Sequence, residues 1–105
     1  MKRHHSILQK DKKVKHRFGI HTDREGPASG PCYSILYYYH IDPVVKKGDL
    51  HFYDDEYACE NEPMETFRPV SGDIVAFHDG IYHGPDEYYT DSIEPCIRGL
   101  LAIFI

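Results

Sequence analysis

The sequence predicts one all-β, or mainly β, domain folded as an antiparallel sandwich or barrel such as a jelly roll. Three observations carry that expectation. Roughly seven short apolar or aromatic runs alternate with clusters of Gly, Pro, Asp and Ser along the chain. Nine tyrosines and five phenylalanines, with no tryptophan, suit the pleated surface of a sheet. No segment offers a good helical period, residues 4–13 coming nearest.

Residues 1–12 are polar and read as a flexible basic N-terminal arm. From Val14 the chain alternates, with Val14, His16, Phe18 and Ile20 on one face and Lys15, Arg17, Gly19, His21 and Asp23 on the other. That period of two is a half-buried strand, and it places His21 and Asp23 on one side of it. Residues 24–31 form a Gly/Pro loop, Cys32 to Ile41 a tyrosine-rich strand, and Val44 to Gly48 contains a turn. Asp49 to Tyr53 is a further strand, the acidic stretch 54–65 a loop, and Thr66 to Val70 a short strand. Ser71-Gly72-Asp73 turns the chain into the strand Ile74–Phe77. His78 to His83 is a strand exit or turn, Gly84 to Pro95 a polar hairpin tip, and Ile97 to Ile105 an almost wholly apolar final strand.

At 105 residues the chain supports a single core. Cys32, Cys59 and Cys96 are odd in number and widely spaced, which argues against a disulfide framework and a structural zinc site. There is neither a secretory leader nor an apolar span, so the expectation is a soluble protein of the cytoplasm with no membrane partner. The net charge of −5 hides a split: +6 over residues 1–24 and −11 over residues 25–105. Such a basic arm is most simply a solvated leader, with an acidic partner such as nucleic acid as the alternative.

Two histidines and one carboxylate are the ligand set that holds non-haem Fe(II) with coordination positions left open. His-x-Asp occurs twice, as His21-Thr22-Asp23 and His40-Ile41-Asp42. The first pair is favoured because it closes an alternating strand at the mouth of a loop, whereas Asp42 stands where a turn needs a cap. For the second histidine, His83, His78 and His51 compete. Strand parity does not separate His78 from His83, and the rim of a strand suits His83. Arg98 opens the apolar final run. A buried guanidinium needs a partner: either an internal carboxylate or a ligand carboxylate gripped bidentately.

Taken in order, these residues resemble the 2-oxoglutarate/Fe(II)-dependent dioxygenases, most closely their prolyl 4-hydroxylase-like branch, from about Arg17 to the C-terminus. The matching pieces are His21-Thr22-Asp23, the run Cys32–Asp42, Lys47-Gly48-Asp49-Leu50-His51-Phe52, Pro69–Phe77, a histidine six positions after Phe77, and a basic residue opening the last strand. The resemblance implies a double-stranded β-helix, cupin-like core over residues 13–105. It implies Fe(II) on His21, Asp23 and His83, and 2-oxoglutarate on Arg98 and Tyr38, with Tyr37 as the fallback. It also implies O2 as oxidant, ascorbate as an auxiliary reductant, and hydroxylation of a protein side chain or small molecule with release of succinate and CO2. Lys15, Arg17 and Arg24 near the expected mouth favour an acidic or anionic substrate. About twenty residues precede His21, fewer than in the family, and Leu100 stands where many relatives carry a hydroxyl residue. An uncovered sheet face would then favour a homodimer. The competing readings are a non-catalytic metal-binding jelly roll, a cupin-like enzyme that does not use 2-oxoglutarate, and a fragment of a longer oxygenase.

Overall fold

The computed structural model describes residues 1–11, 19–23, 33–54 and 62–105. Among them there is no helix. The nine strands are β1 (Lys2–Leu8), β2 (Tyr33–Ile41), β3 (Val45–Lys47), β4 (Leu50–Tyr53), β5 (Glu65–Phe67), β6 (Ile74–His78), β7 (Tyr82–Pro85), β8 (Tyr88–Thr90) and β9 (Cys96–Phe104). The all-β expectation therefore holds. No helix among these residues is long and apolar enough to cross a membrane.

The strands form a four-stranded sheet in the order β1-β9-β2-β6, a three-stranded sheet β5-β4-β7 and a small pair β3-β8. All pairings are antiparallel. The two larger sheets share one core: Leu36, Tyr38, Phe77 and Ala102 from the first meet Leu50 and Phe52 from the second. The rings of Phe52 and Phe77 make the join edge to face, with centroids 5.1 Å apart, a favoured arrangement for aromatic pairs.

Alternation explains which side chains point inward. In β2 the buried positions are Ser34, Leu36 and Tyr38, two apart as a strand requires. One extra residue in β2 then shifts the register with β9, from Tyr37↔Leu101 to His40↔Gly99. This bulge switches parity, so Ile41 packs against the same core as the even-numbered residues before it. It also seats the Tyr39 ring over Gly99, where a β-carbon would overlap the ring.

Several expected elements differ. The N-terminal residues are not a frayed arm, because Lys2–Leu8 pairs along its whole length with β9. Its polar composition reflects an edge strand that buries only Ser6 and Leu8 fully. The region read as turn and hairpin tip contains β7 and β8, each too short to show a period. The strand expected at Thr66–Val70 is the three-residue β5, and the segment expected as a turn from Val44 contains β3. The strand expected from Val14 is described only from Gly19 onward. Residues 24–32, with the whole Gly/Pro loop read at 24–31 and Cys32, lie outside the described residues. So do Cys59 and the basic residues Lys15, Arg17 and Arg24. Cys96 is a free, buried thiol.

Candidate metal centre

Two chain segments, residues 19–23 and β7, deliver three donor groups to one place. His21 forms an isolated antiparallel bridge with His83 at the free edge of β7. Each backbone N–H donates to the other's carbonyl at 2.9 Å. A directly opposed pair carries its side chains on one side of the sheet, and the two imidazoles stand with centroids 4.5 Å apart. Gly84 permits this approach, since a β-carbon there would lie 3.3 Å from the Gly19 carbonyl oxygen and 3.4 Å from the Ile20 Cα. Two residues on, the Asp23 backbone N–H donates to the Asp79 carbonyl at 3.0 Å, which fixes the carboxylate beside both rings.

The hydrogen bonds around the rings set their chemistry. His21 Nδ1–H donates to the Gly19 carbonyl at 2.8 Å and His83 Nδ1–H to the Ile81 carbonyl at 2.9 Å. A carbonyl can only accept, so Nδ1 of each ring carries a proton and each Nε2 faces Asp23, as a donor to the carboxylate when protonated and as a lone pair for a cation when not. Backbone bonds of this kind commonly orient metal-ligating histidines. The Nε2 atoms lie 3.4 Å and 3.3 Å from the Asp23 oxygens. Ligand bonds of about 2.1 Å at right angles put neighbouring donors about 3.0 Å apart. All three donors fall within 4.8 Å of one another, so His21, Asp23 and His83 could hold a metal ion.

Around this cluster the protein is built for a fixed carboxylate and a fixed ring. Ser34 Oγ, on a side chain with no exposure, donates to Asp23 Oδ2 at 2.7 Å. Burial acts to raise the Asp23 carboxyl, but hydrogen bonds from His21, His83 and Ser34 outweigh it and hold the group far below the ordinary aspartate range. The His21 imidazole is raised, chiefly by its hydrogen bond to Asp23 and against desolvation. His83 is 4 % exposed, with its ring edge to face on Phe77 at 4.6 Å.

The cluster opens on a cavity of about 730 Å³ between the two large sheets. Its other walls include Tyr38, Leu50, Arg98, Leu100 and Ala102, with Lys2 and His4 contributed by edge strand β1. Arg98 is 5 % exposed. Its Nη2 donates to the Gly48 carbonyl at 3.3 Å, and its guanidinium lies over the rings of Tyr88 and Tyr38 at 4.2 and 5.6 Å. Among the described residues no carboxylate forms an ion pair with it. Tyr38 is 1 % exposed and Tyr37 lies on the outer face, so of the two it is Tyr38 that shares the cavity with Arg98.

The rival residues sit elsewhere. His40 is exposed and bonded to Asp42 at 2.9 Å, while Asp42 Oδ2 accepts the Ile97 N–H of β9 at 2.6 Å, a long-range bond in place of the turn cap expected of it. His78 accepts the Gly80 N–H at 3.1 Å, and His51 bridges Thr66 and Asp86 at 2.8 Å each. Sequence reasoning missed Tyr88, Ser34 and the β1 residues. The inward parity of Ser34 with Leu36 and Tyr38 was a usable signal; Tyr88, in a three-residue strand, offered none. Comparison with protein-family models, with curated proteins and with solved structures finds no match to this chain.

Proposed function

We propose that this chain is a jelly-roll dioxygenase dependent on Fe(II) and 2-oxoglutarate. Successive strands pass between the two large sheets, β1 to the segment around His21, then β2, then β4 and β5, then β6, β7 and β9. That alternation is what a double-stranded β-helix requires. The observation that carries the functional reading is one cavity lined by both a 2-His-1-carboxylate cluster and a buried arginine with no carboxylate partner among the described residues. The donor set fits Fe(II), because two imidazoles and one carboxylate leave the cavity side of the ion open. The guanidinium fits a ligand carboxylate, because its fork matches that group bidentately and a buried charge is costly alone.

In this reading His21, Asp23 and His83 hold the ion, with Ser34 orienting the carboxylate. Arg98 receives the distal carboxylate of 2-oxoglutarate and the Tyr38 hydroxyl assists it. Leu36, Leu50, Leu100 and Ala102 keep water away from the reacting end. When bound, iron supplies the oxidation: 2-oxoglutarate, O2 and a substrate C–H bond give succinate, CO2 and a C–OH bond, one oxygen atom entering each oxidised product.

The test is succinate formation by the full chain with ferrous iron, 2-oxoglutarate and ascorbate, assayed in wild type, His83→Ala and Arg98→Met. Turnover in wild type that disappears in His83→Ala and loses saturation by 2-oxoglutarate in Arg98→Met is the expected result. Iron-loaded wild type that binds 2-oxoglutarate but makes no succinate turns the reading towards a non-catalytic metal-binding module. Oxidation of an added substrate that survives Arg98→Met turns it towards a cupin-like enzyme.

A further inference from the structure

The Arg98 guanidinium rests on a platform made by strands distant from it in sequence. The Tyr88 ring lies under it at 4.2 Å, a separation at which a cation is attracted to an aromatic face. Tyr88 is itself 8 % exposed, and its hydroxyl is hydrogen-bonded to Ser6 Oγ at 2.9 Å, a buried pair. Ser6 stands directly opposite Arg98 in the β1–β9 register. Leu8 and Cys96 pack with Tyr88 in a small second core. The remaining side is closed by Gly48 at a φ of +89°, where a β-carbon would lie 3.2 Å from Arg98 Nε and 3.3 Å from Tyr88 Cβ. Glycine is therefore required there both by the backbone and by the guanidinium packed against it.

This arrangement does more than fill space. An arginine side chain carries much rotamer freedom, and freezing it when a ligand arrives weakens binding. A ring clamped from behind by Ser6 removes that freedom beforehand. Ser6 is not part of the cavity wall, whereas Tyr88 and Arg98 are, and its hydrogen bond to Tyr88 links it to them.

We infer that Tyr88, tethered by Ser6, is a positioning residue that fixes the Arg98 guanidinium as a carboxylate receptor and thereby sets the length of dicarboxylate the cavity accepts. This deepens the proposed function and rests on its assignment of a ligand carboxylate to Arg98. The distance between the metal cluster and the fork is a ruler only if the fork does not move. Tyr88 acts through Arg98, and the ruler is read by comparing two acids that differ by one methylene.

The test uses the full chain loaded with manganese(II), which is not oxidised during titration, and calorimetric binding of 2-oxoglutarate and of 2-oxoadipate. Wild type is expected to prefer the shorter acid by about tenfold or more, as one misplaced methylene commonly costs. Ser6→Ala and Tyr88→Phe break the same hydrogen bond, so each weakens 2-oxoglutarate binding about three- to tenfold and the double variant does no worse than either. Tyr88→Leu removes the ring and brings the preference below about threefold. In metal-free protein, the Arg98 Nε–H resonance is ring-shifted and rigid in wild type, and unshifted and mobile in Tyr88→Leu.

A rigid Arg98 and an unchanged length preference in Tyr88→Leu overturn the proposal while leaving the dioxygenase reading standing. A wild type that binds neither acid overturns that reading and the ruler with it, and the Nε–H resonance then decides the platform alone. If Tyr88→Leu does not fold, Ser6→Ala and Tyr88→Phe carry the test: additive losses in the double variant, or no loss in either single one, overturn the tether.

Discussion

The chain carries the pattern His-x-Asp twice, and the two copies differ in what stands opposite them. Across from His21 is His83, joined through two backbone hydrogen bonds, so two imidazoles share one side of the sheet. Across from His40 is Gly99, which has no side chain to offer. The carboxylates differ in the same way. Asp23 accepts one short bond, from Ser34, and faces two Nε2 atoms at 3.3 and 3.4 Å. Asp42 has one oxygen taken by the Ile97 N–H at 2.6 Å and the other by His40 at 2.9 Å. A tripeptide becomes a candidate metal site through what the sheet brings to it.

Removing the opposed ring is the strongest way to break this contrast. His83→Ala deletes one of three donors and is expected to lower affinity for a divalent cation by more than about a hundredfold, beyond the tenfold to hundredfold typical when only an outer partner of a metal site is lost. His40→Ala is expected to leave that affinity unchanged. Competition with a chromophoric chelator measures both. An equal loss in the two variants, or none in either, removes the distinction between the two motifs.

Ser34 gives a smaller and sharper test. Its hydroxyl touches Asp23 and no other donor of the cluster, so Ser34→Ala should weaken cation binding about tenfold to a hundredfold through misorientation of the carboxylate. The exchange is small in volume and removes the hydroxyl opposite a charged group, so a folding check belongs beside it. Ser34→Thr, which retains a hydroxyl, should recover part of the affinity where the extra methyl is accommodated.

The reading of the site from sequence succeeded where strand parity acts locally. Leu36 and Tyr38, two apart, are fixed by the period of strand β2, and His21 and Asp23, two apart, fall into one group although His21 makes only an isolated bridge. It failed where tertiary pairing decides. Lys2–Leu8 looks like a solvated arm because four of its seven residues are Lys, Arg or His, yet β9 offers it a complete partner, and its inward positions Lys2 and His4 face a cavity that tolerates charge. Tyr82–Pro85 contains Gly and Pro, which ordinarily signal a turn. It is a strand because β4 pairs with it on one side and His21 on the other. Strand parity does not separate His83 from His78; the strand-rim position and the six-residue step from Phe77 favour His83, and it is His83 that joins the group with His21 and Asp23.

Asp42 supplies the smallest effect and completes the contrast, because its substitution should touch stability and spare the metal cluster. Asp42→Ala leaves the partly buried Ile97 N–H without its acceptor, which costs about 1–2 kcal/mol. The bond from the Ile97 N–H, followed by that from His40, lowers the Asp42 carboxyl below its usual range. A carboxyl whose pKa is lower in the folded chain than in the unfolded one contributes stability above the unfolded value and loses it as pH falls through the folded value. The difference in urea midpoint between wild type and Asp42→Ala should therefore be full near neutral pH and shrink on acidification below the ordinary aspartate range. Cation affinity at neutral pH should be the same in both proteins. A loss of affinity in Asp42→Ala comparable to that in His83→Ala would mean that the second motif reaches the metal cluster after all.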